Sequence, residues 1–63
     1  MIEFLKDVVD RGYVVSFRKE ILQYDISVFS KKTKSIIGQV LPEDHFTEGK
    51  VKAVIEYCID KLK

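Results

Sequence analysis

Apolar positions recur at two different periods along this chain, and the switches between them divide it into a helix, three strands and a second helix. Ile2, Leu5, Val8 and Val9 fall at helical spacing, with Glu3, Lys6, Asp7 and Asp10 on the remaining face. This predicts a helix over residues 2–11. Gly12 stands where a left-handed C-cap residue belongs, and Arg11 brings positive charge to the helix's negative end. Ten residues do not hold as an isolated helix, so this one must dock on a sheet.

From Gly12 to Leu41 the period drops to two. The first strand, 13–18, places Tyr13, Val15 and Phe17 on one face and Val14, Ser16 and Arg18 on the other. In the second, 24–30, Tyr24, Ile26 and Val28 oppose Asp25 and Ser27, which indicates one dry face and one wetter one. The third, 35–41, runs from Ser35 to Leu41 and stops at Pro42. Short connections make the three an antiparallel meander. Lys31-Lys32-Thr33-Lys34 is a cationic hairpin tip, whereas Lys19 to Gln23 contains no Gly, Pro, Asn or Asp and leaves the first hairpin's register open.

Beyond Pro42, Asp44 or Thr47 is a candidate N-cap and Phe46 a candidate staple. The stripe Val51, Val54, Ile55, Cys58, Ile59 and Leu62 then predicts a helix over 47–62. The expected fold is α+β, ordered α-β-β-β-α, a single domain over 1–63 with both helices on one face of the sheet.

That arrangement leaves too many apolar residues. With Tyr13, Val15, Phe17, Tyr24, Ile26 and Val28 toward the helices, the third strand must choose a phase. Turning Gly38 inward lets a helix approach closely and keeps Gln39 out of the core, so Ile36 and Val40 go in. Ile37 and Leu41 then face out beside Val14 and Phe29, an apolar patch of the kind that marks an interface. The opposite phase stays open on the residues alone. Val14, Phe29, Ile37 and Leu41 are therefore the expected partner or homodimer interface, through the sheet face or by strand addition at an edge.

Composition narrows the classes further. A chain of 63 residues buries only ~60% of the surface its unfolded form exposes, so stability is marginal and self-association is a natural remedy. Eleven Lys+Arg against ten Asp+Glu give a formal charge of +1. That disfavours both a nucleic-acid binder driven by bulk charge and an acidic DNA mimic. No apolar run approaches a membrane span, and no basic segment leads into an apolar stretch as in a secretion signal. One cysteine cannot staple the fold, which fits a reducing cytoplasm.

No residue set reads as catalytic. His45 beside Asp44 is a neighbour in sequence and not a dyad, since catalysis needs a nucleophile alongside in space. Cys58 lies on an apolar stripe, and with His45 it makes at most two soft metal ligands, too few for zinc. Tyr13, Tyr24 and Tyr57 read as core bodies with wet tips. Lys31, Lys32, Lys34, Lys50 and Lys52 are candidate contacts to nucleic acid or an acidic partner. No metal or cofactor is expected.

Three resemblances follow from this order of elements. The segment Glu48-Gly49-Lys50-Val51-Lys52-Ala53 resembles the lysine cluster opening the second helix of double-stranded-RNA-binding domains. That family's Gly-Pro-then-His loop is replaced here by Lys19-Glu20-Ile21-Leu22. Asp10-Arg11-Gly12-Tyr13 and Pro42-Glu43-Asp44 resemble segments of HicA-type toxin ribonucleases, whose catalytic histidine has no counterpart among Gln23, Tyr24 and Asp25. In length and pattern the chain is similar to small accessory proteins of phages and prophages, including inhibitors of bacterial defence nucleases. The expectation is a non-enzymatic, cytoplasmic interaction module of phage or mobile-element type, binding a protein partner and dimeric. The alternative is an RNA- or nucleic-acid-binding module of double-stranded-RNA-binding-like or degenerate HicA-like type.

Overall fold

A computed structural model describes residues 1–63 and arranges them as α1 (Ile2–Asp10), β1 (Tyr13–Lys19), β2 (Gln23–Ser30), β3 (Ser35–Pro42), a 3-10 turn (Glu43–His45) and α2 (Glu48–Leu62). The strands form an antiparallel sheet in the order β1-β2-β3. α1 lies over β1, and α2 lies over β2 and β3. Val8, Val51, Ile55, Cys58 and Ile59 join Ile26, Val28 and Leu41 in one buried cluster, which places both helices on the same face. Each such side chain contributes roughly 1.5–3 kcal/mol, so any one is a large share of the stability of so small a domain.

The corners follow from local chemistry. Gly12 takes φ +95, and its N–H donates to the Val9 carbonyl at 3.0 Å, closing α1 with a left-handed residue. The Gly12 carbonyl accepts the Lys31 N–H at 3.0 Å, tying this corner to the β2–β3 hairpin. At the first hairpin the register runs Tyr13↔Ser30 to Lys19↔Tyr24, with Glu20 N–H donating to the Gln23 carbonyl at 2.8 Å. Ile21 and Leu22 form the tip without a positive φ, so neither primed turn is used. The Lys19 ammonium satisfies the exposed carbonyls of Glu20 and Ile21 at 2.7 and 3.2 Å.

The second hairpin corrects the phase of the third strand. Its four-residue tip closes with Lys34 in the left-handed region at φ +61, and Lys34 N–H donates to the Ser30 carbonyl at 2.8 Å. The buried Ser30 hydroxyl accepts the Thr33 N–H at 3.3 Å. Ser30 consequently faces Ser35, Val28 faces Ile37, and Tyr24 faces Leu41. Cross-strand partners share a face, so Ile37 and Leu41 turn toward the helices and Ile36, Gly38 and Val40 turn away. Leu41 is 6% exposed within the core, and Ile37 packs against it. Gln39 is accommodated half-buried on the covered face, in edge strand β3.

α1 also docks by a different line from the expected one. Val8 is buried with Phe4 and Leu5 beside it, while Ile2 is 76% exposed and Val9 is exposed as well. α1 rests on a single edge strand, which gives it room to bury one side of a broad apolar face. Arg11 bridges Glu56 at 3.4 Å, and the N-terminal ammonium approaches Glu48 at 3.7 Å, so α1 and α2 lie side by side and run the same way. At the start of α2 the Thr47 hydroxyl accepts the Lys50 N–H at 3.4 Å as N-cap. Phe46 stacks on Tyr24, with ring centroids 3.8 Å apart, and meets Phe17 edge-on at 6.2 Å. That trio closes the end of the covered face. Tyr57, expected in the core, lies on the exposed side of α2 with the Lys61 ammonium 5.5 Å above its ring.

Candidate interaction surfaces

The uncovered face of the sheet is set by alternation and register together. Across the three strands its side chains form rows: Val14, Phe29 and Ile36; then Ser16, Ser27 and Gly38; then Arg18, Asp25 and Val40. Gln23 and Pro42 complete it at one end. Ile36 is 67% and Val40 53% exposed, Val14 is exposed, and Phe29 is half-buried among its neighbours. Charged residues make up 33% of the chain, yet this face holds only Arg18 and Asp25, and these neutralise one another across β1 and β2 at 3.2 Å. Asp25 also accepts from Gln23 Nε2 at 3.3 Å, and Arg18 reaches Glu20 at 3.4 Å.

Of the four expected interface residues, Val14 and Phe29 are therefore on this face. Ile37 and Leu41 belong to the covered one, and their sequence neighbours Ile36 and Val40 take their places. The five candidate lysines are likewise divided. Lys31, Lys32 and Lys34 form the β2–β3 tip, and no carboxylate lies within ion-pair distance of any of them. Beside them a hollow of about 300 Å³ is lined by Arg11, Tyr13, Lys32, Thr33 and Lys63 among others. Lys50 and Lys52 sit at the start of α2, near Met1 and Phe4, at the opposite end of the sheet. Lys52 is engaged there, bridging Glu48 at 3.2 Å and standing 5.6 Å over the Phe4 ring. The two lysine groups do not form one patch.

Two exposed apolar groups lie outside the expected interface. Ile21, 89% exposed, and Leu22 project from the first hairpin tip. Ile2, Leu5 and Val9 line one side of α1. The signal for the first was present, since an apolar pair in a connection has no strand face to occupy. The second needed the docking angle of α1.

The titratable residues offer little chemistry. Burial pushes the Cys58 thiol above its ordinary value, which keeps it protonated and unreactive. The hydrogen bond from Lys52, with the N-terminal ammonium and the Lys52 charge, holds the exposed Glu48 carboxyl below its usual value. His45 is exposed in the 3-10 turn. No group of three or more His, Cys, Asp or Glu side chains converges as a metal site would require. No helix is long and apolar enough to cross a membrane. Comparison of the chain with protein-family models, curated proteins and solved structures finds no match.

Proposed function

We propose that this chain is a non-enzymatic interaction module, of the small accessory type carried by phages and mobile elements, that binds a protein partner through the uncovered sheet face. The observation that carries this reading is the near-absence of charge on that face. Interface centres are depleted of charged residues and keep aliphatic and aromatic ones, as Val14, Phe29, Ile36 and Val40 do here. The accessory-protein attribution rests on size and element order.

A photo-reactive residue tests the face directly. Placed at Ile36 or Val40, it is expected to cross-link a protein partner in cells expressing the chain, and placed at Tyr57 on α2 it is not. The added substitution Val14→Lys is expected to abolish the Ile36 cross-link. Equal labelling from Tyr57, or labelling indifferent to Val14→Lys, would remove the face as a binding site.

The alternative, a nucleic-acid contact, draws support from the unpaired Lys31, Lys32 and Lys34 beside Lys63. Binding through several lysines weakens steeply with rising salt. Absence of RNA or DNA binding at low salt eliminates it.

A further inference from the structure

We infer that the partner of the uncovered face is a second copy of this chain, related by a two-fold axis that lies between the sheets and runs across the strands. The inference rests on the reading of that face as an interface and names its occupant.

Three features select this arrangement. The first is charge. The tip lysines Lys31, Lys32 and Lys34 have no ion-pair partner, whereas the far end carries Asp25 on the face and Glu20 just beyond it in the first hairpin tip, two carboxylates that share the single guanidinium of Arg18. A two-fold across the strands reverses their direction in the second copy, so each cationic tip lies over the other's Asp25 and Glu20. A two-fold along the strands would set three lysines against three lysines. Like charges so opposed are destabilising, and opposite ones fix the register.

The second is shape. The large row Val14, Phe29 and Ile36 adjoins the small row Ser16, Ser27 and Gly38. With the axis between them, the large row of each copy enters the small row of the other, and contacts repeat reciprocally as a two-fold interface demands. This is the same operator that the charges choose.

The third is area. Three strands of about eight residues make a face roughly 14 by 26 Å, so two copies bury on the order of 700–750 Å² in total. That lies below the range of stable interfaces, among weak and transient ones, and matches a concentration-dependent dimer with a Kd of roughly micromolar to sub-millimolar.

Sedimentation velocity on the full chain across that concentration range, at low salt, tests the proposal. The expected result is a monomer–dimer transition that Ile36→Lys weakens at least about tenfold. Lys32→Glu is expected to weaken it several-fold, and Glu20→Lys in the same chain to restore it, because residues 20 and 32 meet only between reversed copies. Circular dichroism confirms that each variant, substituted at an exposed position, stays folded. A chain that remains monomeric at the highest concentration overturns self-pairing. If the Ile36 cross-link to another protein persists in that case, the protein-binding reading stands alone. Dimers indifferent to Ile36→Lys overturn both. Dimers lost on Lys32→Glu but not recovered by Glu20→Lys overturn the reversed arrangement, and with it the proposal.

Discussion

The two faces of the sheet come from the same three strands, and both carry β-branched and aromatic side chains. On the covered side Ile26, Val28 and Leu41 meet the stripes of α1 and α2 and vanish from solvent. On the other side Val14, Ile36 and Val40 meet nothing and stay exposed. Apolar content thus does not decide which face becomes core; the presence of an opposing stripe does. What separates the uncovered face from an ordinary wet one is that its only two charges are spent on each other. A face of that composition is suited to another protein surface rather than to water.

The sharpest way to break this comparison uses adjacent residues. Leu41→Lys places a charge in the core and is expected to cost more than about 4 kcal/mol, enough to unfold the domain, whereas Val40→Lys costs within about 0.5 kcal/mol. Urea titrations followed by circular dichroism would separate them, and equal losses would show the phase of β3 to be wrong. Gly12→Ala probes the corner that seats α1 on the covered face. A Cβ there meets no neighbour within 4 Å, so the expected loss of about 1–2 kcal/mol is purely the conformational cost of φ +95.

The facing of β3 was legible in the sequence, though not by the route of keeping Gln39 out of the core. Ile36–Ile37 and Val40–Leu41 are apolar neighbours, so alternation alone allows either phase. The four-residue tip decides it, because opposing Ser30 with Ser35 obliges Val28 to face Ile37. Element order, Gly12 as the helix terminator, Thr47 as a candidate cap and the stripe of α2 all followed from local spacing. The orientation of α1 did not, since Ile2, Phe4, Leu5, Val8 and Val9 wrap most of the helix and only the position of β1 selects among them. The division of the lysines between two ends depended on where the hairpin and the start of α2 lie in space.

Smaller effects refine the contrast. Cys58 reports on the closed side. Its folded pKa is raised above the unfolded value near 9.0, so the neutral thiol's contribution is complete below that value. Above it the unfolded chain ionises first, and stability is expected to fall as pH rises, as denaturant midpoints between neutral and alkaline pH would show. Slow reaction of Cys58 with a thiol reagent, quickened by denaturant, would accompany this. Lys34→Gly relieves the left-handed residue that sets the β2–β3 phase and is expected to stabilise by about 0.5–1 kcal/mol in a thermal melt. The smallest effect belongs to Glu48. Its folded pKa is lowered, so its contribution is present above the unfolded value of about 4.5 and declines as pH falls through the folded one. Glu48→Gln should flatten that acid limb slightly.

Methyl relaxation by a soluble gadolinium chelate, measured by NMR on dilute and concentrated samples of the same chain, tests the two-faced sheet most directly. The expected result is strong relaxation of the Val14, Ile36 and Val40 methyls when dilute and their protection when concentrated, with Ile37 and Leu41 protected throughout. Ile36 and Val40 already shielded in the dilute monomer, or still fully relaxed in the concentrated sample, would contradict it.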